Sequence, residues 1–432
     1  MSWTAGYVTD TRYPAFFYKE MQPLWLATVA RFLGMTPPDV DGAFSLCELG
    51  CGQGINLLVA AACHPQARFV GVDFNAAHLD AARDAAAASG IANVAFVHAD
   101  FASFAARDQQ RFDFVTCHGV WSWVAPEQQA RILDIASRSL AAGGLLYLHY
   151  MCHPGSTELA PFQHMLNLCA HHMPGGSVRK VQTGMKLLET MVEHGAFADQ
   201  PAMRRHFTNM MRRDPADLAH EFLTDHWRPE HCADLHQRVG AAGLAYVGSA
   251  DVFNNLDLSM SIPARMQPLI RRTAVPALAE ALKDIARNAH QRMDLFQKHP
   301  RRADSAAIMA ALEAIRVTAL PGAPLRGPVT FATPIGPVIG PEAIFTPLLE
   351  RLATGPASGA ELMRLPVFSS DPNALLQAIQ LLMMQQMAHP VLNVAAAARE
   401  RIDSLERCLA ERGIALRLIA NAGTAVPGAQ AG

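Results

Sequence analysis

Three glycines and two acidic residues stand where successive apolar segments end, and their spacing suits a nucleotide-like ligand. ELGCGQG (48–54) carries glycines at 50, 52 and 54. Asp73 ends the next apolar run, 19 residues after Gly54, and Asp100 ends the third. Such glycines let the backbone turn tightly and approach a ligand closely, and an acid at this spacing can bind ribose hydroxyls. Because Ile55 occupies the third glycine position of the dinucleotide fingerprint, the pattern differs from a typical NAD site.

Alternating strand and helix patterns must position these residues. Near-continuous apolar runs are found at 45–50, 67–73, 92–100, 111–117 and 145–150. Segments with apolar residues at helical spacing separate them, which predicts a mostly parallel sheet covered by helices on both faces. The fold class expected is therefore α/β and Rossmann-like. The loops at the carboxyl ends of such strands meet at one edge, where a site is expected.

The pattern changes after residue 152. Residues 155–227 have helical periodicity without strand signals, and 231–251 resume a helix and a short strand. We therefore predict a first domain over 1–154, with its sheet completed by 228–262, and a helical middle domain over 155–300. After the Pro/Gly-rich stretch 320–341, helix signals predict a mainly α, winged-helix-like domain over 301–432 that ends in a disordered tail.

Composition excludes several classes of protein. The chain has 432 residues, half of them apolar, and a net charge of −2. The basic excess typical of nucleic-acid binding is missing, and no apolar stretch predicts a membrane span or a secretory signal. The eight cysteines form no CxxC pair, which favours a reducing cytoplasm. Histidine-rich segments within 149–236 lack compact zinc-ligand spacing, so no metal is expected. The arginines within 203–213 indicate a solvated helix face or, alternatively, a docking patch.

Two tryptophans follow the fourth apolar run in HGVWSWV (118–124). Residues two apart on extended backbone point to opposite sides, so at most one should face a pocket. We favour Trp121 for that position, with burial in the core as the alternative for either tryptophan. His118 directly follows the run and could contact a ligand or take up a proton.

The glycine-rich segment, with Asp73 and Asp100-Phe101, resembles the cofactor motifs of class I S-adenosylmethionine-dependent methyltransferases. The resemblance implies that Asp73 binds the ribose, that Asp100-Phe101 contacts the adenine and that Glu48 lies near the amino acid end of the cofactor. The full set expected at the cofactor is Glu48, Gly50, Cys51, Gly52, Gly54, Asn56, Asp73, Phe74, Asp100, Phe101, His118 and Tyr13.

A more specific resemblance covers most of residues 6–390. HGVWSWV and its continuation to HYMCHPG, the N-terminal tyrosines and LAHEFLTDHWRP (218–229) are similar to methyltransferases with a methyltransferase regulatory domain. That family includes dimeric bacterial enzymes that methylate lysines of outer-membrane surface proteins. One departure is Met151, which replaces the Asn of an S-Y-N motif, and the C-terminus also looks shorter.

The resemblance implies methyl transfer to a protein side chain, with lysine favoured. Burial among aromatic rings lowers the pKa of a lysine and stabilises its ammonium product. We predict His118, Trp121 and Tyr150 as the catalytic set. The resemblance implies a protein substrate, such as an outer-membrane or surface protein before export, and a homodimer. Alternatives are methyl transfer to a small molecule, or a scaffold that binds S-adenosylmethionine without catalysis.

Overall fold

The computed structural model describes residues 6–11, 13–107, 110–392 and 396–428, and a seven-stranded sheet organises its first 300 residues. The strands are β1 (Ser45–Leu49), β2 (Arg68–Asp73), β3 (Val94–His98), β4 (Phe112–Cys117), β5 (Leu140–Met151), β6 (Leu244–Ser249) and β7 (Gln291–Lys298). Their order is β3-β2-β1-β4-β5-β7-β6. The pairs from β3 to β5 are parallel, whereas β7 is antiparallel to both of its neighbours. The predicted Rossmann-like class is therefore confirmed.

Helices cover both faces of this sheet. They are α1 (Pro23–Phe32), α2 (Ile55–Cys63), α3 (Ala76–Ala88), α4 (Phe101–Ala105) and α5 (Pro126–Ser139). Successive residues of β5 enter opposite cores: Leu145 and Tyr147 pack in one, Leu146 and Leu148 in the other. Both faces are buried, which explains the near-continuous apolar runs of the strands.

A helical segment follows β5, as predicted. It consists of α6 (Ala160–His172), α7 (Ser177–Glu193), α8 (Pro201–Met210) and α9 (Pro215–Phe222). These helices share a separate apolar cluster that includes Phe162, Leu166 and Leu218. The chain then returns to the sheet through α10 (Cys232–Ala241) and β6.

Three more helices connect β6 to β7: α11 (Leu258–Ser261), α12 (Gln267–Arg272) and α13 (Pro276–Arg287). The prediction of helices up to residue 300 is wrong at its end, because residues 291–298 form the strand β7. It lies between β5 and β6 and hydrogen-bonds to both. Its charged side chains Arg292 and Asp294 are buried in an ion-pair network. Because charged residues normally indicate exposed positions, the sequence pattern did not indicate a buried strand here.

The remaining chain packs against the first domain. Its elements are α14 (Ser305–Ala314), β8 (Arg316–Ala319), β9 (Val329–Phe331), β10 (Val338–Gly340), α15 (Glu342–Ala353), β11 (Ala357–Ser358), α16 (Gly359–Met363), α17 (Pro372–Met384), β12 (Ala388–Pro390), α18 (Ala396–Glu411), β13 (Leu416–Ile419) and β14 (Thr424–Pro427). A three-stranded sheet has the order β11-β8-β12. The winged-helix assignment stays a prediction.

The C-terminal end is more ordered than expected. The strands β13 and β14 form an antiparallel hairpin. Just after α18, the Arg412 guanidinium donates to the carbonyl oxygen of Ala81 on α3 over 2.7 Å. Residues 416–427 are therefore structured, and residues 429–432, at the end of the predicted disordered tail, lie outside the described part of the chain.

Two further properties concern only the described residues. None of their helices combines the length and apolar character needed to cross a bilayer. Within the same residues, no three histidine, cysteine or carboxylate side chains are grouped so that they could hold a metal ion.

Candidate active site

The loop after β1 forms one wall of a deep cleft. The amides of Gly50 and Cys51 donate to the carbonyl oxygen of Val72 over 2.8 and 3.1 Å, which ties the loop to β2. Gly50 has φ +75°, and a Cβ there would collide with the Val120 side chain. Gly54 has φ +70°, and a Cβ there would lie 2.6 Å from the ring of Phe96. Only glycine therefore fits these two positions.

Two buried carboxyl groups, Glu48 and Asp73, face this loop from the ends of β1 and β2. Burial, followed by the charge of Asp73, raises the pKa of Glu48 to about 8. Burial also raises the pKa of Asp73, although the amides of Asn75 and Gly52 donate to it, each over 2.8 Å. A cationic ligand would offset the cost of ionising this pair.

All twelve residues predicted at the cofactor line this one cleft, which we call the glycine cleft. Its volume is about 1380 Å³, including the part open to solvent. Asp100 caps the short helix α4, where its Oδ1 accepts the Ser103 amide over 2.6 Å. That bond lowers the pKa of Asp100, so this exposed carboxylate is ionised. The individual roles given to the twelve residues remain predictions.

An N-terminal segment lies across the glycine cleft. This segment, residues 6–11 and 13–18, is called the strap below. The Gln53 side chain donates to the carbonyl oxygen of Tyr13 over 2.7 Å, and the Tyr18 amide donates to Asn56 Oδ1 over 2.9 Å. The ring of Tyr7 meets Phe74 edge-on at a centroid distance of 5.8 Å. The strap is thus bound to the glycine loop and to the end of β2.

A second cleft, of about 830 Å³, adjoins the first; we call it the aromatic cleft. Residues shared by the two clefts are Tyr7, Tyr13, Phe16, Tyr18, His118, Gly119 and Trp123. The residues that only the aromatic cleft contains are His149, Gln291 and Met293 from the sheet, and Arg213, Asp217, His220 and Glu221 from the helical segment. A ligand in the glycine cleft and one in the aromatic cleft would therefore meet beside His118.

His118 stands in a stack of rings at this junction. Its ring lies 3.7 Å from the Tyr18 ring and 4.1 Å from the His149 ring, between centroids. Its Nδ1 is 2.7 Å from the Tyr147 hydroxyl. Burial, and then the neighbouring His149, lowers the pKa of His118 far below its usual value. The imidazole is therefore neutral at physiological pH.

His149 is also neutral, and its hydrogen bonds fix the tautomer. Its Nδ1 accepts the Gly119 amide over 3.1 Å, so the ring hydrogen resides on Nε2, which donates to Gln291 Oε1 over 3.2 Å. Burial lowers the pKa of His149 to about 4. His149 thus supports the loop that carries His118.

Acidic groups from α9 face these rings. Arg213 Nε donates to Asp217 Oδ2 over 2.7 Å, and its Nη2 lies 3.6 Å from Glu221 Oε2. Burial raises the pKa of Glu221, and Arg213 opposes that rise. One guanidinium therefore faces two carboxyl groups. We predicted a solvated helix face for the arginines within 203–213, but the structure places one of them, Arg213, in the lining of the aromatic cleft.

The structure corrects the prediction for Trp121. This side chain is fully buried in the core beneath the sheet, where its Nε1 donates to Glu230 over 3.1 Å. Trp123 instead lines both clefts, and its Nε1 donates to the Glu221 carbonyl oxygen over 3.2 Å. The loop here is a 3-10 turn, Trp121–Trp123, so one tryptophan enters the core and the other the cleft.

The prediction for Tyr150 is also wrong. Its ring is fully buried on the core side of β5, away from both clefts. Its hydroxyl donates to Asp294 over 2.7 Å, and Asp294 is ion-paired with Arg292. Tyr150 therefore completes a buried polar network, whereas its neighbour His149 points to the aromatic cleft.

Several residues of the site escaped the sequence reasoning. Tyr18, Asp217, Glu221 and His220 lie far from the glycine motif in sequence. The only local signal was the i, i+4 pair of acids on α9, which is common on exposed helices.

Comparison with known proteins agrees with this architecture. Residues 46–144 match a family described as a methyltransferase domain, and 214–298 match a predicted methyltransferase regulatory domain. The uncharacterized protein sll1526 of Synechocystis is 27% identical over 397 residues, which is 91% of this chain and 78% of that protein. PKMT2 from Rickettsia typhi is similar in structure, with a TM-score of 0.68 and 19% identity over 88% of this chain and 77% of that one. Its complex with AdoHcy gives a TM-score of 0.67.

The sheet order, the glycine loop and the methyltransferase family match define the class. The chain is a class I methyltransferase that depends on S-adenosylmethionine. More particularly, it is a methyltransferase that carries the methyltransferase regulatory domain, and α9 and β7 lie within that second match. Two glycines that admit no Cβ and two buried carboxyl groups fit such a cationic cofactor.

Proposed function

We propose that this enzyme methylates an amino group of a protein side chain, with lysine as the acceptor. The observation that carries the proposal is the aromatic cleft, which joins the glycine cleft at His118 and combines aromatic walls with Asp217 and Glu221. Bound S-adenosylmethionine supplies an electrophilic methyl group on a sulfonium sulfur.

Aromatic walls and carboxyl groups favour different stages of such a reaction. A free lysine has a pKa of about 10.4 and enters as a cation, which Asp217 and Glu221 attract. Tyr13, Tyr18 and Trp123 then provide a poorly hydrated wall that favours the neutral amine and also contacts a methylated ammonium product favourably. Arg213 offsets part of the acidic charge, so the amine is not held permanently as a cation.

The two histidines contribute by remaining uncharged. Because burial keeps the pKa of His118 and His149 low, neither adds a positive charge beside the cationic cofactor and acceptor. His118 remains our candidate for assisting proton removal, since it lines both clefts; its low pKa means that it would accept a hydrogen bond from the acceptor amine without retaining the proton. The assignments of Asp73 to the ribose, Asp100-Phe101 to the adenine and Glu48 to the amino acid end also belong to this proposal.

Transfer of a labelled methyl group tests the acceptor. Purified enzyme and methyl-tritiated S-adenosylmethionine are added to a bacterial lysate, and protein hydrolysates are analysed for methyl-lysine. We expect labelled methyl-lysine with wild type and at least tenfold less with Asp217→Asn/Glu221→Gln. The matched control is Asp134→Asn, which removes an exposed i, i+4 ion pair with Arg138 on α5. Label confined to small molecules would contradict the proposal, and no label at all would favour a scaffold.

We also propose that the enzyme acts in the cytoplasm as a homodimer on a surface or outer-membrane protein before export. The family resemblance is the basis of this part. Light scattering during size-exclusion chromatography should give about twice the mass of one chain, 46.7 kDa. A single-chain mass at micromolar concentration would contradict the dimer.

A further inference from the structure

The strap is hydrogen-bonded to the helical segment that follows β5 as well as to the glycine loop. The carbonyl oxygen of Gly6 accepts the Asp225 amide over 3.1 Å. Asp10 Oδ2 accepts the Ser177 amide, at the start of α7, over 2.8 Å. Because these contacts come from the helical segment, the strap bridges that segment and the glycine loop.

His220 on α9 lies at the centre of this bridge. Its Nε2 is 3.1 Å from the carbonyl oxygen of Thr11, and a carbonyl can only accept, so Nε2 carries the hydrogen. Its ring lies 5.0 Å from the Tyr13 ring and 5.7 Å from the Tyr7 ring, between centroids. Only 2% of the side chain is exposed. His220, which itself lines the aromatic cleft, therefore contacts both of the tyrosines that also line the glycine cleft.

Tyr7 shows why this support matters for the cofactor. Its ring packs against Phe74, and its phenol is close enough to Asp73 and Glu221 for their charges to help raise its pKa, after burial. A change in the position of Tyr7 would therefore alter the surroundings of Asp73, the predicted ribose-binding acid.

We propose that His220 is a positioning residue for the cofactor, contributed by the regulatory domain. It lies within residues 214–298, the part of the chain that matches the regulatory family. By holding Thr11, Tyr7 and Tyr13, it keeps the strap closed over the glycine cleft and slows release of the S-adenosyl ligand. The regulatory domain thereby sets cofactor residence time through one hydrogen bond and two ring contacts. This inference depends on the cofactor class and not on the identity of the methyl acceptor.

The test measures binding of S-adenosylhomocysteine, by titration calorimetry for affinity and by stopped-flow displacement for the dissociation rate. His220→Gln keeps an N–H donor near the position of Nε2, whereas His220→Leu keeps the bulk without a donor. One hydrogen bond of this kind corresponds to about a three- to tenfold effect. We expect the dissociation rate of His220→Leu to rise by about that factor and His220→Gln to restore much of the wild-type rate.

Two further variants guard against a loss of folding. His194→Leu is the matched control, because His194 also bonds a backbone carbonyl, over 2.7 Å, but at the exposed end of α7. It should leave dissociation unchanged. Asp10→Ala releases the strap from α7 without touching a core, and it should also speed dissociation.

Equal dissociation rates for wild type, His220→Leu and Asp10→Ala would overturn the proposal. Loss of binding in both His220 variants with a lower melting temperature, while Asp10→Ala behaves as wild type, would show a structural role and overturn it too. Absence of binding by wild type would instead refute the cofactor assignment, so the two failures are distinguishable.

Discussion

Glu48 and Asp73 bring two buried carboxyl groups together, so binding of a cationic cofactor should be coupled to proton release. Burial raises the pKa of Glu48 from an ordinary value of 4.5 to about 8 in the ligand-free chain. At pH 7 only about a tenth of Glu48 is then ionised. If the ionised form binds the cofactor's cationic end, most enzyme molecules must lose a proton on binding.

The magnitude follows from that pKa. Each pH unit below it is worth about 1.36 kcal/mol when binding requires the ionised form. The dissociation constant of S-adenosylmethionine should therefore fall nearly tenfold from pH 6 to pH 7. From pH 7 to pH 8 it should fall much less, because the α-amino group of the cofactor, with an ordinary pKa of about 7.7–8.0, loses its charge over the same interval. About 0.9 proton should be released per cofactor bound at pH 7.

Titration calorimetry measures both quantities. Binding enthalpies at pH 7 in buffers of different ionisation enthalpy give the number of protons released, and titrations from pH 6 to pH 8 give the affinities. Glu48→Gln should bind more weakly at pH 8 and lose most of the pH dependence. Wild-type affinity that does not change between pH 6 and pH 8, with no proton release, would refute this account of Glu48.

The same pKa sets a stability trend with a fixed sign. The folded chain keeps on Glu48 a proton that the unfolded chain releases, so this contribution is present below pH 4.5 and is lost as pH rises towards 8. Buried histidines with lowered pKa values, such as His118 and His149, act in the opposite sense between pH 6 and pH 8, but they do so equally in wild type and in Glu48→Gln. Relative to Glu48→Gln, the ligand-free wild type should therefore lose melting temperature from pH 6 to pH 8, and Glu48→Gln should melt above wild type at pH 8. A variant that melts below wild type at pH 8 would contradict the assignment.

Four other substitutions distinguish side chains of the core from residues that line the clefts. Trp121→Ala should lower the free energy of unfolding in urea by about 3–5 kcal/mol and leave S-adenosylhomocysteine affinity and methyl transfer intact in the folded fraction. Trp123 is also buried, so Trp123→Ala should lower stability as well, but it should in addition reduce methyl transfer per folded molecule. Selective loss of transfer in Trp121→Ala, with full transfer by folded Trp123→Ala, would contradict their placement. Tyr150→Phe removes a hydrogen bond to Asp294 and should cost about 1–3 kcal/mol in thermal unfolding with methyl transfer unchanged; a selective loss of transfer would return Tyr150 to the active site. Gly50→Ala should weaken S-adenosylhomocysteine binding at least tenfold by calorimetry, and wild-type affinity would show that the loop tolerates a Cβ.

The residues of the glycine cleft could be predicted because many of them lie at the carboxyl ends of strands. A parallel sheet brings those ends to one edge whatever the connecting helices do, so Glu48, Asp73 and Asp100 line the same cleft. The strand β7 was not predictable in this way. Arg292 and Asp294 are residue types that normally indicate exposure. Their burial is offset by a network in which they pair with each other, Arg292 also pairs with Glu280 and Asp284, and Asp294 also contacts His236.

The lining of the aromatic cleft could not be predicted in this way, because it depends on contacts between residues that are far apart in the sequence. The alternation that placed Trp121 in the pocket holds for extended backbone, but the chain forms a 3-10 turn there, and the assignment is reversed. Trp123 then reaches the carbonyl of Glu221, 98 residues away in sequence. Nothing near residue 123 indicates that helix.

The regulatory domain therefore lines the candidate active site through its helix α9. Its helix α9 supplies Glu221 to the aromatic cleft and His220 to the strap, one residue apart. The backbone of Glu221 holds Trp123, while the side chain of His220 holds the segment that contains Tyr13. A shift of α9 should consequently change both clefts together, because Trp123 and Tyr13 line both of them and are held by this helix. Cofactor release and acceptor binding should thus respond to a single helix.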